Sequence, residues 1–369
     1  MRSLGVVCTN CGREYPENGS PYRCLKCGGV YDFEGPINFD PQKINRYQGG
    51  IWKYRQTFNL PEEIEPISLG EGDSPLLWSV AFNHEVALKC EYLNPTGSYK
   101  DRGSSLIASF IHSRKVGECI EDSSGNAGAS IAAYAARAGI KLGIYIPETA
   151  SGIKRKQIEA YGASLFSVKG TRSDVSAVAK QIADSGMTYA SHAYLPFNIP
   201  GYATIAYEIY EQLGNKAPGT VILPVGQGGL LLGVSRGFDA IRKAGLIEKM
   251  PLLVGVQARA CAPLWSLYNG GVDGLRFATE GPTLAEGVKV WQPIRGDAVL
   301  KAIGSSRGWL IAIDEEDIVV GVDEFARRGF HVEPTSALVW SALGQCLNEC
   351  ADPIVLILTG SGLKHRIML

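Results

Sequence analysis

The chain has 369 residues, 45% hydrophobic and 20% charged, with 36 basic against 37 acidic side chains. That is enough for a sizeable core, and the formal net charge of -1 leaves no basic excess with which to grip nucleic acid. No apolar run reaches the roughly 18–20 residues that cross a bilayer, and the first residues lack the apolar stretch of a secretory signal. The expectation is a soluble cytoplasmic protein of two or three domains, with neither membrane nor nucleic-acid partners.

Four of the nine cysteines crowd the N-terminal end. Cys8 and Cys11 form one C-x2-C knuckle, and Cys24 and Cys27 form a second after a 12-residue spacer. Two such knuckles can bring four thiolates into a tetrahedron around Zn2+. Gly12 follows the first and Gly28-Gly29 the second, where the backbone must turn sharply. A disulfide pairing is the weaker alternative, because nothing in the chain suggests export. Four cysteines close the coordination sphere, so the expected zinc is structural, and metal binding would supply much of this short segment's folding energy. The other five cysteines, Cys346 and Cys350 among them, read as small buried side chains.

Residues 38 to about 65 are polar and aromatic, with Tyr47, Trp52, Tyr54 and Phe58 and little apolar periodicity. They read as an arm that packs on the main body. From Glu85 onward, short apolar runs alternate with amphipathic segments. Strands are expected at Val86–Cys90, Cys119–Glu121, Leu142–Ile146, Ser164–Val168, Thr220–Pro224, Leu252–Val256 and Ile354–Leu358. Helices are expected at Ser130–Ala138, Ile153–Tyr161, Asp174–Asp184, Tyr202–Leu213, Leu230–Ala244, Glu315–Arg328 and Thr335–Asn348. This alternation predicts an α/β architecture with a mainly parallel sheet.

Open α/β sheets place ligands where strands end and helices begin. Four junctions of that kind carry chemistry. Asn94 to Gly103 turns twice and opens a helix around Lys100, a position from which a neutral amine can form a Schiff base. Ser123-Ser124-Gly125-Asn126-Ala127-Gly128 offers free N–H groups and hydroxyls to a carboxylate or other anion. Gly226-Gln227-Gly228-Gly229-Leu230 can wrap a phosphate in a nest of N–H groups. It is neither a Walker loop nor a dinucleotide fingerprint. At the fourth, the Thr359 hydroxyl can meet a ring nitrogen without forcing its protonation. An amine, an anion seat, a phosphate nest and a ring-nitrogen partner together match pyridoxal 5'-phosphate better than a nucleotide.

The Lys100 motif, with Gly70-Glu71-Gly72-Asp73-Ser74-Pro75-Leu76, Ser124-Gly125-Asn126, Tyr161-Gly162-Ala163, Glu333-Pro334 and Thr359 to Lys364, resembles the threonine synthase family in the same order. A four-cysteine ribbon also precedes the catalytic part of some members. The resemblance spans roughly 65–369 and implies the fold-type II, tryptophan synthase β-like architecture of two open parallel-sheet α/β domains. By that likeness, residues 1–36 are the zinc ribbon, 37–106 and 206–369 the large cofactor-binding domain, and 107–205 the small mobile domain. The implied activity is that of a carbon–oxygen lyase of threonine biosynthesis, which converts O-phosphohomoserine and water to threonine and phosphate. Lys100 would carry the cofactor and shuttle protons, and Asn126 would bond its 3'-oxygen. Gly226, Gln227, Gly228, Gly229 and Leu230 would hold its phosphate, and Thr359 its ring nitrogen. Ser123, Ser124, Gly125, Ala127 and Gly128 would hold the substrate carboxylate. A small amino-acid substrate and a homodimer are implied as well.

Three departures bear on the substrate. The family commonly has Thr-Ser where this chain has Ala127-Gly128. It has an arginine and a lysine, both for the substrate phosphate, where this chain has Asn198 and Ala203. The loop from Gly226 to Leu230 is closer to that of threonine/serine ammonia-lyases. These differences keep a β-eliminating or β-replacing reaction, such as that of an ammonia-lyase, a cysteate synthase or a diaminopropionate enzyme, as the alternative. A non-enzymatic scaffold is the remote one. Lys154, Arg155 and Lys156 are candidate substitutes for the missing cations, or a solvated basic helix face.

Overall fold

The computed structural model describes residues 4–61, 63–149 and 152–365. In chain order its strands are β1 (Val6–Cys8), β2 (Tyr31–Phe33), β3 (Leu76–Ala81), β4 (His84–Lys89), β5 (Glu118–Glu121), β6 (Lys141–Pro147), β7 (Ser164–Val168), β8 (Thr188–Tyr189), β9 (Thr220–Pro224), β10 (Leu252–Ala258), β11 (Trp309–Ile313) and β12 (Ile354–Ile357). The helices are α1 (Lys100–Ser113), α2 (Asn126–Ala138), α3 (Ile153–Ala160), α4 (Arg172–Asp184), α5 (Asn198–Gln212), α6 (Gly229–Lys243), α7 (Pro263–Gly274), α8 (Gly296–Ser306), α9 (Glu315–Arg327) and α10 (Pro334–Cys346).

The chain divides into two compact units, one of residues 1–72 and 100–201, the other of residues 73–99 and 202–369. One boundary therefore falls between Tyr99 and Lys100, and another inside α5.

The first unit holds a four-stranded sheet in the order β7-β6-β5-β8, parallel at every pairing. The antiparallel β1–β2 pair belongs to the same unit. Tyr15, Tyr31 and Cys24 from the cysteine segment share one core with Ile107, Phe110 and Phe197. The Tyr15 ring meets those of Phe110 and Phe197 edge-on at 5.8 and 5.3 Å. The aromatic stretch after it is equally integrated. Trp52, Tyr54 and Phe58 are buried, and the Trp52 indole donates to Ser105 Oγ at 2.9 Å and Glu71 Oε1 at 3.2 Å. Glu71 is a buried hub that also accepts from Tyr134 (2.7 Å) and the Leu69 amide (2.9 Å). That hub gives the Gly70-Glu71-Gly72 motif a structural reason.

The second unit holds a six-stranded sheet in the order β11-β10-β9-β12-β4-β3. It is parallel except for edge strand β3, which runs antiparallel to β4. Helix α10 buries nearly every face against this sheet. The seven expected strands are present, with ends within two residues of expectation. Helices α2 and α5 start four residues earlier than expected. Strands β3, β8 and β11, the β1–β2 pair, and helices α7 and α8 were not anticipated. β3 is exposed along most of its length, so its residues show no alternation to read. α7 is broken at Gly271, where φ is 58°.

Candidate active site

In the first unit, Lys100 is half-buried and opens α1. The next residue, Asp101, is fully buried and accepts from Ser130 Oγ at 2.6 Å. Ser130 also bonds Ser104 Oγ at 2.6 Å, and Ser104 bonds His192 Nε2 at 2.8 Å. His192 Nδ1 lies 4.0 Å from Glu121 Oε1, too far for a hydrogen bond. Neither that nitrogen nor Glu121 Oε2 has a hydrogen-bond partner among the described residues. Burial pushes the Glu121 carboxyl well up, Asp122 adding to it against the pull of Arg172 and Lys100. Burial, and then the charge of Lys100, hold His192 well below the usual histidine value. Both therefore favour their neutral forms. Asp122 is instead matched by Arg172, at 2.7 Å.

β5 ends at Glu121, and α2 begins at Asn126 behind Gly125, which has no side chain to cap the helix. A helix start favours a negative group. Ser123 Oγ accepts from the Gly125 amide at 3.2 Å, shaping the turn. Gly128 is packed against the Ser123 carbonyl so closely that a Cβ would overlap it. Asn198, at the position where the resembled family has an arginine, is buried. Its Nδ2 donates to the His192 carbonyl at 2.6 Å. It clamps a loop and brings no positive charge. Lys154 and Arg155 are half-buried on α3 and Lys156 is exposed, with Arg155 paired to Glu159.

In the second unit, β9 sits between β10 and β12 and delivers the loop from Gly226 to Leu230. Gly228 caps α6 at φ 90°, a left-handed conformation suited to glycine, and no side chain caps the helix. A Cβ on Gly228 would overlap Val299, and one on Gly226 would come within 2.9 Å of the Gly287 carbonyl. A side chain at Gly226 or Gly228 would crowd these neighbours, and the N-cap glycine has no side chain to occupy the helix start. This fits a phosphate ester. The Gln227 side chain is engaged elsewhere, accepting from the Ile294 amide at 3.1 Å.

β12 ends just before Thr359, which is buried. Its carbonyl accepts from the Tyr99 amide at 3.0 Å. Its hydroxyl donates to Glu333 Oε1 at 3.2 Å and lies 2.9 Å from Ser336 Oγ. Glu121, His192 and Ser104 in one unit, and Glu333 and Ser336 in the other, went unassigned from sequence. Glu121 could have been flagged as a carboxylate ending an apolar strand.

The four N-terminal thiols lie within 4.8 Å of one another. Cys8–Cys27 and Cys11–Cys24 are 3.4 and 3.7 Å apart, near the roughly 3.8 Å edge of a tetrahedron built on Zn–S bonds of about 2.3 Å. Both knuckles close alike. Gly12 donates to the Cys8 carbonyl and Gly28 to that of Cys24, each at 2.8–2.9 Å and each glycine at positive φ. Burial raises the Cys24 thiol, but the Cys27 and Lys26 amides and neighbouring thiols bring it down to about 6. The residues fit a metal ion held by sulfur alone.

Comparison with known proteins states the class to which the chain belongs. The sequence model of the pyridoxal-phosphate dependent enzymes matches residues 67–360, and the chain belongs to that family, with its fold-type II architecture. The chain is 32% identical over 373 residues to the threonine synthase of Methanocaldococcus jannaschii, covering 97% of this chain and 92% of that protein. It is 31% identical to the threonine synthase of Mycobacterium tuberculosis, covering 86% and 89%. Among solved structures it is similar to the T.th. threonine deaminase, with TM-score 0.66, 27% identity, and coverage of 80% and 94%. It shares its fold with maize serine racemase, with TM-score 0.67, 21% identity, and coverage of 80% and 89%. No helix among the described residues is long and apolar enough to cross a membrane.

Proposed function

We propose that this chain is a threonine synthase, converting O-phosphohomoserine and water to L-threonine and phosphate. The likeness to the M. jannaschii threonine synthase, which takes in 97% of this chain, carries the reading. When bound, pyridoxal phosphate supplies the electron sink for charge that develops on the substrate's carbon atoms. The chain's own residues do the rest. The Lys100 amine holds the cofactor's aldehyde carbon and moves protons to and from the substrate. The amides from Gly226 to Leu230 hold the cofactor's phosphate at the start of α6, where the helix favours negative charge. Asn126 bonds the 3'-oxygen and Thr359 the ring nitrogen. Ser123, Ser124, Gly125, Ala127 and Gly128 orient the substrate carboxylate at the start of α2. Cys8, Cys11, Cys24 and Cys27 hold a structural zinc, with no coordination position left for chemistry.

One observation favours a second reading. The clamped, neutral Asn198 supplies no cation, and a dianionic phosphate ordinarily takes charge-assisted donors. The substrate of a threonine/serine ammonia-lyase carries no phosphate. The deciding experiment incubates the cofactor-loaded enzyme with O-phosphohomoserine and, separately, with threonine and serine. Phosphate released together with an equal amount of threonine establishes the synthase. No phosphate, with a 2-oxo acid formed from threonine or serine, replaces it with the ammonia-lyase.

A further inference from the structure

We propose that Cys346 and Cys350 form a reversible redox pair, with Cys350 the sulfur that attacks a small-molecule disulfide such as glutathione disulfide and Cys346 the sulfur that resolves the adduct. The pair stands outside both the four-thiol metal site and the residues assigned to the cofactor. The inference does not depend on which substrate the enzyme takes.

The geometry comes from where the helix stops. Two residues four apart on a continuous α-helix hold their Cβ atoms about 5–6 Å apart, too far for a disulfide, which needs roughly 3.5–4.5 Å. Cys346 is the last residue of α10, and its φ of -125° and ψ of 15° already leave the helix. A single 3-10 turn, Leu347–Glu349, follows, and Cys350 is extended at φ -76° and ψ 142°. The Cys350 amide closes the turn on the Leu347 carbonyl at 3.3 Å. The bend brings the two side chains together, with their Sγ atoms 3.6 Å apart. Rotation about χ1 can close the remaining gap to a bond of about 2.0 Å.

The two sulfurs are unlike. Cys346 belongs to the second unit's core and is 3% exposed, whereas Cys350 is half-buried at the edge of that core. The hydrogen bond between them pulls the Cys350 thiol below its ordinary value, against burial and the charges of Glu349 and Asp352. The same bond, with burial, pushes the Cys346 thiol well up. A thiol held toward the thiolate and reachable from solvent is the one to attack, and the buried thiol behind it is the one to resolve. Cys90, Cys119 and Cys261 offer a contrast: each is fully buried, and burial pushes each thiol up.

The exchange balances with no further reactant. The Cys350 thiolate displaces one thiolate from the small disulfide and forms a mixed disulfide. Cys346 then attacks the Cys350 sulfur, gives up its proton and expels the second small thiol. Two protein thiols are oxidised, one small disulfide is reduced to two thiols, and both protons end on these. An excess of reducing thiol runs the sequence backward. The new bond ties the end of α10 to the chain entering β12, at the ends of these elements remote from Glu333 and Thr359. It also keeps Cys350 from irreversible oxidation.

The test incubates cofactor-loaded, full-length enzyme with excess glutathione disulfide, quenches in acid, alkylates the remaining thiols in denaturant and digests with trypsin. Residues 329–364 follow Arg328, end at Lys364 and contain no other lysine or arginine, so both cysteines leave on one peptide. That peptide is expected to take no alkyl label and to weigh two hydrogens less than its reduced form, with both labels restored by dithiothreitol. Cys346→Ser should stop at a glutathione adduct on Cys350, and Cys350→Ser should leave Cys346 unmodified. A wild-type peptide that keeps both labels overturns the proposal. A lasting glutathione adduct in the wild type does so too, because Cys346 would then not resolve it. An adduct on Cys346 in Cys350→Ser overturns the assigned roles. Loss of label from Cys90, Cys119 and Cys261 as fast as from the pair also overturns it, since the reaction would then run through the unfolded chain. Should either variant not fold, the wild-type peptide decides.

Discussion

Gly128 and Ser123 touch backbone to backbone: a side chain of any size at 128 would overlap the Ser123 carbonyl oxygen. The loop from Ser123 to Gly125 and the first turn of α2 are therefore one packed unit, shaped by the absence of a side chain. The resembled family commonly has a serine at this place. Restoring it here does not restore the family's geometry.

Gly128→Ser should therefore shift the loop and weaken the seat assigned to the substrate carboxylate. The overpacking should cost about 1–3 kcal/mol of stability. Ala127→Thr, at the neighbouring half-buried position, should cost less. Thermal melts and substrate KM for the two variants check this. Equal effects from both would show that the Gly128–Ser123 contact does not shape the seat.

The cysteine segment shares the first unit's core through Tyr15, Tyr31 and Cys24, so its loss should be felt beyond its own residues. Tyr22 also donates to Asp184 at 2.8 Å, and Arg23 pairs with Asp184 at 2.6 Å. Purified protein should contain one zinc per chain. Strong chelation or Cys11→Ser should lower the melting temperature of the whole first unit, because unfolding of the segment uncovers the core under Tyr15. Tyr15→Ala, which keeps all four thiols, should retain the metal yet lose about 3 kcal/mol or more. A metal-depleted protein with an unchanged melt would show that the segment adds nothing to the unit it packs on.

These two cases show what was legible in the sequence. The knuckles, the Lys100 turn and the loop from Gly226 to Leu230 are written in residues close along the chain, and the chemistry they imply follows from local spacing. β7 and β9 occupy the residues expected, as short apolar runs in parallel sheets do. β3 and β11 went unseen: β3 has an exposed edge that carries no pattern, and β11 is a buried five-residue run directly after α8. The contacts that surround the site are another matter. Glu121 meets His192, and Glu333 meets Thr359, across long stretches of chain. No local period announces such pairs. The Asn198 position was readable as a departure from the family, but its inward clamp on the His192 carbonyl was not.

The neutral pair of Glu121 and His192 predicts opposing pH dependences. The folded pKa of His192 is depressed from 6.5. Below about 6.5 the unfolded chain binds a proton there that the folded chain does not, so stability falls with falling pH. The folded pKa of Glu121 is raised from 4.5. Above about 4.5 the folded chain keeps a proton that the unfolded chain has lost, so stability falls with rising pH. Each slope is at most about 1.4 kcal/mol per pH unit. His192→Gln should remove the first effect and lose less stability than the wild type between roughly pH 7 and roughly pH 5, by up to about 2 kcal/mol. Glu121→Gln should do the reverse and gain relative to the wild type toward neutral pH. Denaturant titrations at several pH values separate these. A His192→Gln curve parallel to the wild type's would mean that His192 binds its proton equally well in the folded and unfolded chains.

Lys89 and Glu208 form a deeply buried ion pair in the second unit, 2.6 Å apart with side chains 0% and 2% exposed. The Lys89 ammonium also donates to the Ser74 carbonyl at 2.7 Å and to Gln212 Oε1 at 3.0 Å, so its three protons are all placed. The other Glu208 oxygen accepts from the Asp73 amide at 2.9 Å, at the residue where the chain enters this unit. A buried pair so completely bonded is costly to halve: removing one partner leaves a desolvated charge behind. Lys89→Met should cost about 3–5 kcal/mol, and so should Glu208→Leu. The double variant should lose clearly less than their sum, since it strands no charge. It should still lose something, because the Asp73 amide and Ser74 carbonyl are left without these partners. Denaturant unfolding of the two single variants and the double completes the cycle, and strict additivity would show that the two charges do not depend on each other.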